Sequence, residues 1–289
     1  MRGENMKSKV RPKFKLKSLI HHIFILGFGL MLLYPLIWLL SGSLQEDTEI
    51  FRGIGLFSGK LSIDNYITGW RGVNGVSFTR FFLNSFLLAG TNMLANVLSC
   101  SLTAYAFAKR EFRLKRLWFV IMLGTMMLPM HVTLLPSYIM FNHMGWLNTY
   151  LPMIVPNFFA VQGFFVYMMT QFMRGVPREI DEAALMDGCG PWKHYSQIIM
   201  PLSIPVIITT CIFTFIWTWN DFFTPLIYIT DIKLFPVSLA LRQFVDATGS
   251  SSWGEMFAMS ILSLTPLFII FVFLQRYLIE GVTAGSVKG

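Results

Sequence analysis

Between Pro177 and Pro205 the chain reads PREIDEAALMDGCGPWKHYSQIIMPLSIP, and these residue types suit docking better than bond-making. Pro177 stands where a first helical residue tolerates a missing N–H. Glu179, Asp181 and Glu182 follow in the first turns, where carboxylates complement the positive end of a helix dipole. Ala183 and Ala184 leave a surface that a second protein can approach closely. Gly188 and Gly190 can end the helix and turn the chain, Pro191 can start a second short helix, and Pro201 closes it before the next apolar run. A helix–bend–helix at a membrane face is expected here; by pattern alone it reads equally as a surface amphipathic loop.

Elsewhere, groups able to do covalent chemistry are sparse. The stretch Gly55 to Lys60 (GLFSGK) has three residues between its glycines where a phosphate-binding loop needs four, and no Ser or Thr follows the lysine. No HExxH or GxSxG motif occurs, and His131 stands alone in an apolar run. Cys100, Cys189 and Cys211 are odd in number and form no CxxC, which leaves no disulfide framework and no metal pattern; small packing residues are the simplest reading. No catalytic residue and no metal ligand is assigned. Asn84, Asn92 and Asn96 share a helical face through spacings of eight and four, fit for a polar pathway or a contact with a neighbouring helix. Gln162 and Tyr167 are similar candidates, and Asp221 is the one acidic residue inside an apolar stretch, near its far end, facing solute or solvent or contacting a neighbouring helix.

The elements that must position these residues follow from composition. Of 289 residues, 54% are hydrophobic and 13% charged, against about 25% charged in soluble domains. Mean hydropathy is +0.58, so the bilayer must be part of the solvent. Six apolar stretches are long enough to span it, at about 19–41, 82–108, 117–140, 150–171, 204–229 and 257–279. The first is too long for a signal-peptide core, and no small-residue cleavage site follows it. Pro129, Pro136 and Pro266 are expected to kink their helices. The net charge of +8 gathers beside the apolar runs, in a tail over residues 1–18 and a cluster between Lys109 and Arg116, which marks topology rather than a nucleic-acid surface. That asymmetry places both termini and the 177–201 loop on the cytoplasmic side. The expected architecture is all-α and polytopic: a basic tail 1–18, a six-helix membrane domain 19–279 and a glycine-rich tail 280–289. No loop is long enough for an independent nucleotide- or solute-binding domain.

Glu182, Ala183, Ala184 and Gly188, followed after nine residues by Ile198, Ile199, Met200 and Pro201, resemble the E-A-A-x-x-x-G-x9-I-x-L-P signature of permease subunits of binding-protein-dependent ABC importers. Met200 in place of Leu is the one departure, and it conserves volume. Tyr34-Pro35 with Trp38 and Ser43, Ala104 to Ala108 (AYAFA), Trp219-Asn220-Asp221, Gln275-Arg276-Tyr277 and the end from Gly285 to Gly289 look like the maltose-type carbohydrate-uptake branch, and like the smaller of its two permease types.

The resemblance implies a type I ABC importer permease fold. It makes the loop a coupling helix that docks into an ATPase subunit, with Glu182 anchoring the contact, Gly188 allowing the bend and Asp187 completing the D-G pair usual in the sugar branch. The tail residues Gly285, Lys288 and Gly289 would reach towards the ATPase interface. Partners would be a second homologous permease, two ATPase subunits that carry Mg-ATP, and an extracytoplasmic binding protein delivering a sugar or oligosaccharide; this chain would hold no cofactor. Transport would proceed by alternating access, ATP-driven closure of the ATPase pair moving the loop. A secondary ion-coupled transporter is the alternative, and a membrane-embedded enzyme is disfavoured by the missing catalytic constellation.

Overall fold

The computed structural model describes residues 16–51, 61–245 and 252–283. The described residues are helical, joined by turns and one isolated bridge between Val73 and Val76. The principal helices are α1 (Leu16–Ser43), α2 (Phe78–Lys109), α3 (Lys115–Thr125), α4 (Met130–His143), α5 (Gly163–Arg174), α6 (Arg178–Met186), α7 (Ile204–Asn220) and α8 (Trp253–Thr283).

α2 is the central post. Its start is capped by Ser77, whose hydroxyl accepts from the Thr79 N–H at 3.3 Å. Lys109 in its last turn suits the negative end of the dipole. α2 packs against α5 on one side and α7 on another; α7 packs on α8, and α1 lies along α8. Among the described residues, two buried apolar clusters follow from this arrangement. One joins the first half of α2 (Phe78, Phe81, Leu88) to Trp219, Tyr228, Phe244 and Met259. The other joins its second half (Cys100, Ala104, Tyr105) to Phe165, Met169 and Met173 of α5 and to Tyr195, Ile199 and Val206. This second cluster is the platform beneath the 177–201 loop.

Among the described residues, four helical stretches are long and apolar enough to cross a bilayer: Leu19–Ser43, Phe78–Lys109, Leu151–Arg174 and Trp253–Tyr277. A fifth is added if Pro191–Leu202 and Ile204–Asn220, which meet at 75°, count as one broken span. The expected stretch 117–140 is therefore not one helix. It divides into α3 and α4 at Met126–Pro129, because proline disfavours helical geometry in the residue before it and lacks an N–H. The chain stays helical through Pro136 and Pro266. The stretch expected at 150–171 is also interrupted, Ala160 taking φ +53° before α5 begins. A side chain at Gly163 would place Cβ 2.8 Å from Met126 Cγ, so glycine is what lets α5 start against the end of α3. The stretch expected at 204–229 ends its long helix at Asn220, and Phe223–Tyr228 forms a separate short one.

Candidate functional site

α6 begins one residue after Pro177, which serves as its N-cap, and carries Glu179 and Asp181 in its first turn. It ends on Gly188 with φ +70°. The Cys189 N–H donates to the Ala184 carbonyl at 2.9 Å and the Gly188 N–H to the Leu185 carbonyl at 3.1 Å. These two bonds are a Schellman closure, which needs a left-handed residue at this position and so selects glycine. Gly190, with φ −69°, is the N-cap of the next short helix Pro191–Lys193. His194–Ile199 then winds as a π-helix, and Met200–Leu202 completes the return arm before the bend at Ser203. Pro201 sits within that last helical turn, and the break falls two residues after it.

Only Ala184 of α6 is buried. Glu182, Ala183, Asp187 and Gly188 are exposed, as are Leu185 (68%), Met186 (84%) and Trp192 (68%). A helix with so little apolar burial is held mainly by polar contacts. Lys109 Nζ donates to Asp181 Oδ2 at 2.7 Å and to the Val176 carbonyl at 3.1 Å. The lysine side chain is 6% exposed, which strengthens the charge-assisted bond relative to one in water. His194 Nε2 lies 3.1 Å from Asp181 Oδ1, and His194 Nδ1 lies 3.0 Å from the Tyr105 hydroxyl. That hydroxyl also donates to the Pro191 carbonyl at 3.2 Å. One turn further into α2, Ser101 and Tyr195 share a hydrogen bond of 2.7 Å. Beside the site, in the turn between α2 and α3, the Lys115 ammonium holds the exposed Glu111 carboxyl below the usual carboxylate range.

The remaining candidates lie apart from this loop. Asn84, Asn92 and Asn96 are all buried on α2. Asn84 Nδ2 donates to the carbonyls of Lys233 and Phe235 at 2.9 and 3.0 Å. Asn92 Nδ2 reaches Thr218 Oγ1 at 3.4 Å, while Asn92 Oδ1 accepts from Asn157 at 3.1 Å. Asn96 Nδ2 reaches Thr214 Oγ1 at 3.4 Å. Gln162 is the N-cap residue of α5, without a side-chain capping bond, and Tyr167 packs its ring near Phe119. Asp221 caps the end of α7, its Oδ1 accepting from the Thr224 N–H at 3.0 Å. Gly285, Lys288 and Gly289 lie outside the described residues, as does the 55–60 stretch.

Sequence reasoning did not find Tyr105, Lys109 and His194 as members of the site. Lys109 read as one of a run of topology charges, and Tyr105 entered only through resemblance. The one local signal was the spacing of Tyr105 and Lys109, one helical turn apart on the same face of α2.

A family model described as the binding-protein-dependent transport system inner membrane component matches residues 95–283. The chain is 30% identical over 275 residues to the trehalose/maltose transport system permease protein MalG of Thermococcus litoralis, covering 95% of this chain and 98% of that one. It is 29% identical over 284 residues to the probable ABC transporter permease protein YurM of Bacillus subtilis, covering 98% and 93%. A solved bacterial ABC transporter involved in the import of the acidic polysaccharide alginate superposes with a TM-score of 0.79 over 92% of this chain and 99% of its own, at 20% identity, which establishes the likeness of fold. With the family match covering most of the chain and a relative 30% identical over 95% of it, the protein belongs to the inner membrane components of binding-protein-dependent transport systems: it is a multi-pass ABC permease subunit that works with a binding protein and an ATPase and performs no covalent chemistry itself.

Proposed function

We propose that this chain is the smaller permease of a heterodimeric sugar importer, and that α6 is the helix through which two Mg-ATP-binding ATPase subunits drive alternating access. The observation that carries this is the two-sided character of the loop. Its outer surface presents Glu182, Leu185, Met186 and Trp192 to solvent, while its inner surface is tied to α2 through Lys109 and Tyr105. Exposed large apolar side chains grouped on one short element favour a protein partner. Six crossings with both termini in the cytoplasm accommodate this loop on the ATPase side: α1, α2, the broken pair α3–α4, Leu151–Arg174, α7 and α8. In that topology Asp221 lies at the outer end of α7, towards the binding protein, and the Asn84–Asn92–Asn96 seam lies along the membrane interior.

A sugar substrate is supported by relatives named for trehalose/maltose and for arabinooligosaccharides; another, from Brucella abortus, is named for sn-glycerol-3-phosphate. The test is ATP hydrolysis by the reconstituted complex of both permeases, ATPase and binding protein across maltose, trehalose, arabinooligosaccharides, alginate oligosaccharides and sn-glycerol-3-phosphate. Stimulation by one saccharide class that also requires the binding protein is expected. Stimulation by sn-glycerol-3-phosphate alone would overturn the sugar assignment and keep the permease.

A further inference from the structure

We infer that Asp181 is a positioning residue, the pin that makes α6 and the inner end of α2 move as one body. The proposal rests on the docking role assigned to α6 and deepens it.

α6 is a separate short helix, broken from its neighbours at each end. Pro177 precedes it, and the left-handed Gly188 follows it. With Ala184 its only buried residue, apolar packing alone leaves α6 little to resist tilting when a partner pushes on Leu185 and Met186. The Asp181 carboxylate removes that freedom. One oxygen takes Lys109 from the last turn of α2; the other faces His194 on the return arm. Lys109 also holds the Val176 carbonyl on the approach arm, and Tyr105 holds both His194 and the Pro191 carbonyl. Approach arm, helix and return arm therefore converge on two side chains, Tyr105 and Lys109, on one face of α2. The Asp181 side chain is 23% exposed and turned towards α2, so it is not part of the surface that Glu182, Leu185 and Met186 offer outward. α2 in turn packs along α5 and α7, which gives a displacement of α6 a direct path to three membrane helices.

The test uses the full complex, reconstituted with its partner permease, ATPase and binding protein, and reads sugar transported per ATP hydrolysed. Asp181→Asn is expected to assemble and to hydrolyse ATP in response to loaded binding protein, while transport per ATP falls about tenfold, the loss that one charged hydrogen bond supports. Lys109→Gln removes the same link from the α2 side, together with the bond to the Val176 carbonyl, without changing a residue of α6, and should give at least the same fall. The double variant should lose far less than the two single losses combined, because both break the Asp181–Lys109 connection, and each adds only one separate contact, Lys109–Val176 or Asp181–His194. Asp181→Glu, which keeps the charge, should recover part of the ratio. An unchanged ratio in Lys109→Gln, or losses that simply add in the double variant, would overturn the pin. If Asp181→Asn fails to assemble, Lys109→Gln decides alone. Glu182→Lys separates the two readings: if it couples normally, the docking role of α6 fails; if it uncouples and the Asp181 and Lys109 variants do not, only the pin fails.

Discussion

Asp181 and Lys109 are 72 residues apart in sequence and 2.7 Å apart in space, and their ion pair joins a solvent-facing helix to the end of a membrane-buried one. Breaking a largely buried pair by replacing Lys109 leaves the Asp181 carboxylate without its cation, held by His194 alone. Lys109→Gln should therefore loosen the loop before it unfolds anything else. Amide hydrogen exchange over residues 178–187 is expected to accelerate by roughly tenfold, about 1.4 kcal/mol of local opening, with α5 and α7 unaffected. Uniform acceleration through the whole second apolar cluster would instead make the pair a global stabiliser.

Gly188 makes a sharper case because no neighbour lies within 4 Å of where its Cβ would stand. Any cost of substitution is then conformational, set by φ +70°. Gly188→Ala should cost about 1 kcal/mol, Gly188→Asn less, since asparagine visits the left-handed region readily, and Gly188→Val more. Transport by the assembled complex should rank Gly, Asn, Ala, Val. Equal loss in all three variants would mean that the glycine is needed for contact with the ATPase and not for its backbone.

The three asparagines of α2 should separate by their partners. Asn84 holds two backbone carbonyls beyond the end of α7, those of Lys233 and Phe235, at 2.9 and 3.0 Å. Asn84→Ala leaves both without that donor and should cost roughly 1–3 kcal/mol. Asn92 and Asn96 reach threonine hydroxyls at 3.4 Å, long bonds of the kind that average about 0.6 kcal/mol between membrane helices. Thermal inactivation of the detergent-solubilised complex should place Asn84→Ala well below Asn96→Ala. The reverse order would indicate that Asn96, whose Oδ1 is buried without a partner, carries a function that the Thr214 contact does not express.

What the sequence made legible was local chemistry. The acids opening α6 act on the helix's own first turn, and the glycine closing it and the proline opening the return arm act through their own backbone, so their positions could be read directly. Apolar length marked α1, α2 and α8, whose ends run a few residues past the expected 19–41, 82–108 and 257–279 because flanking residues, polar ones such as Thr79, Arg80 and Glu255 among them, stay helical. The division of the third stretch was not legible. Pro129 and Pro136 look alike in sequence, yet only the first separates two helices; the second lies within α4. Lys109 was hidden for a similar reason. Charge counting gives the side of the membrane on which a lysine sits, and says nothing of a carboxylate 72 residues later.

Leu185 and Met186 give the most direct check on the docking surface. They are 68% and 84% exposed at the end of α6, beyond the reach of either buried cluster. In the free subunit they contribute little to stability, so Leu185→Ser with Met186→Ser should leave membrane insertion and pairing with the second permease unchanged. In a complex, covering such side chains is worth about 1.5–3 kcal/mol each. Affinity for the ATPase subunit should then fall by a factor of ten or more per residue, measured as retention of the ATPase on the immobilised permease pair. Trp192, also 68% exposed and on the return arm, provides the internal comparison. If Trp192→Ser weakens retention as much, the docking surface extends across both arms of the loop; if it has no effect, the contact is confined to α6. Undiminished retention of the ATPase by the Leu185–Met186 double variant would remove α6 as the docking element altogether.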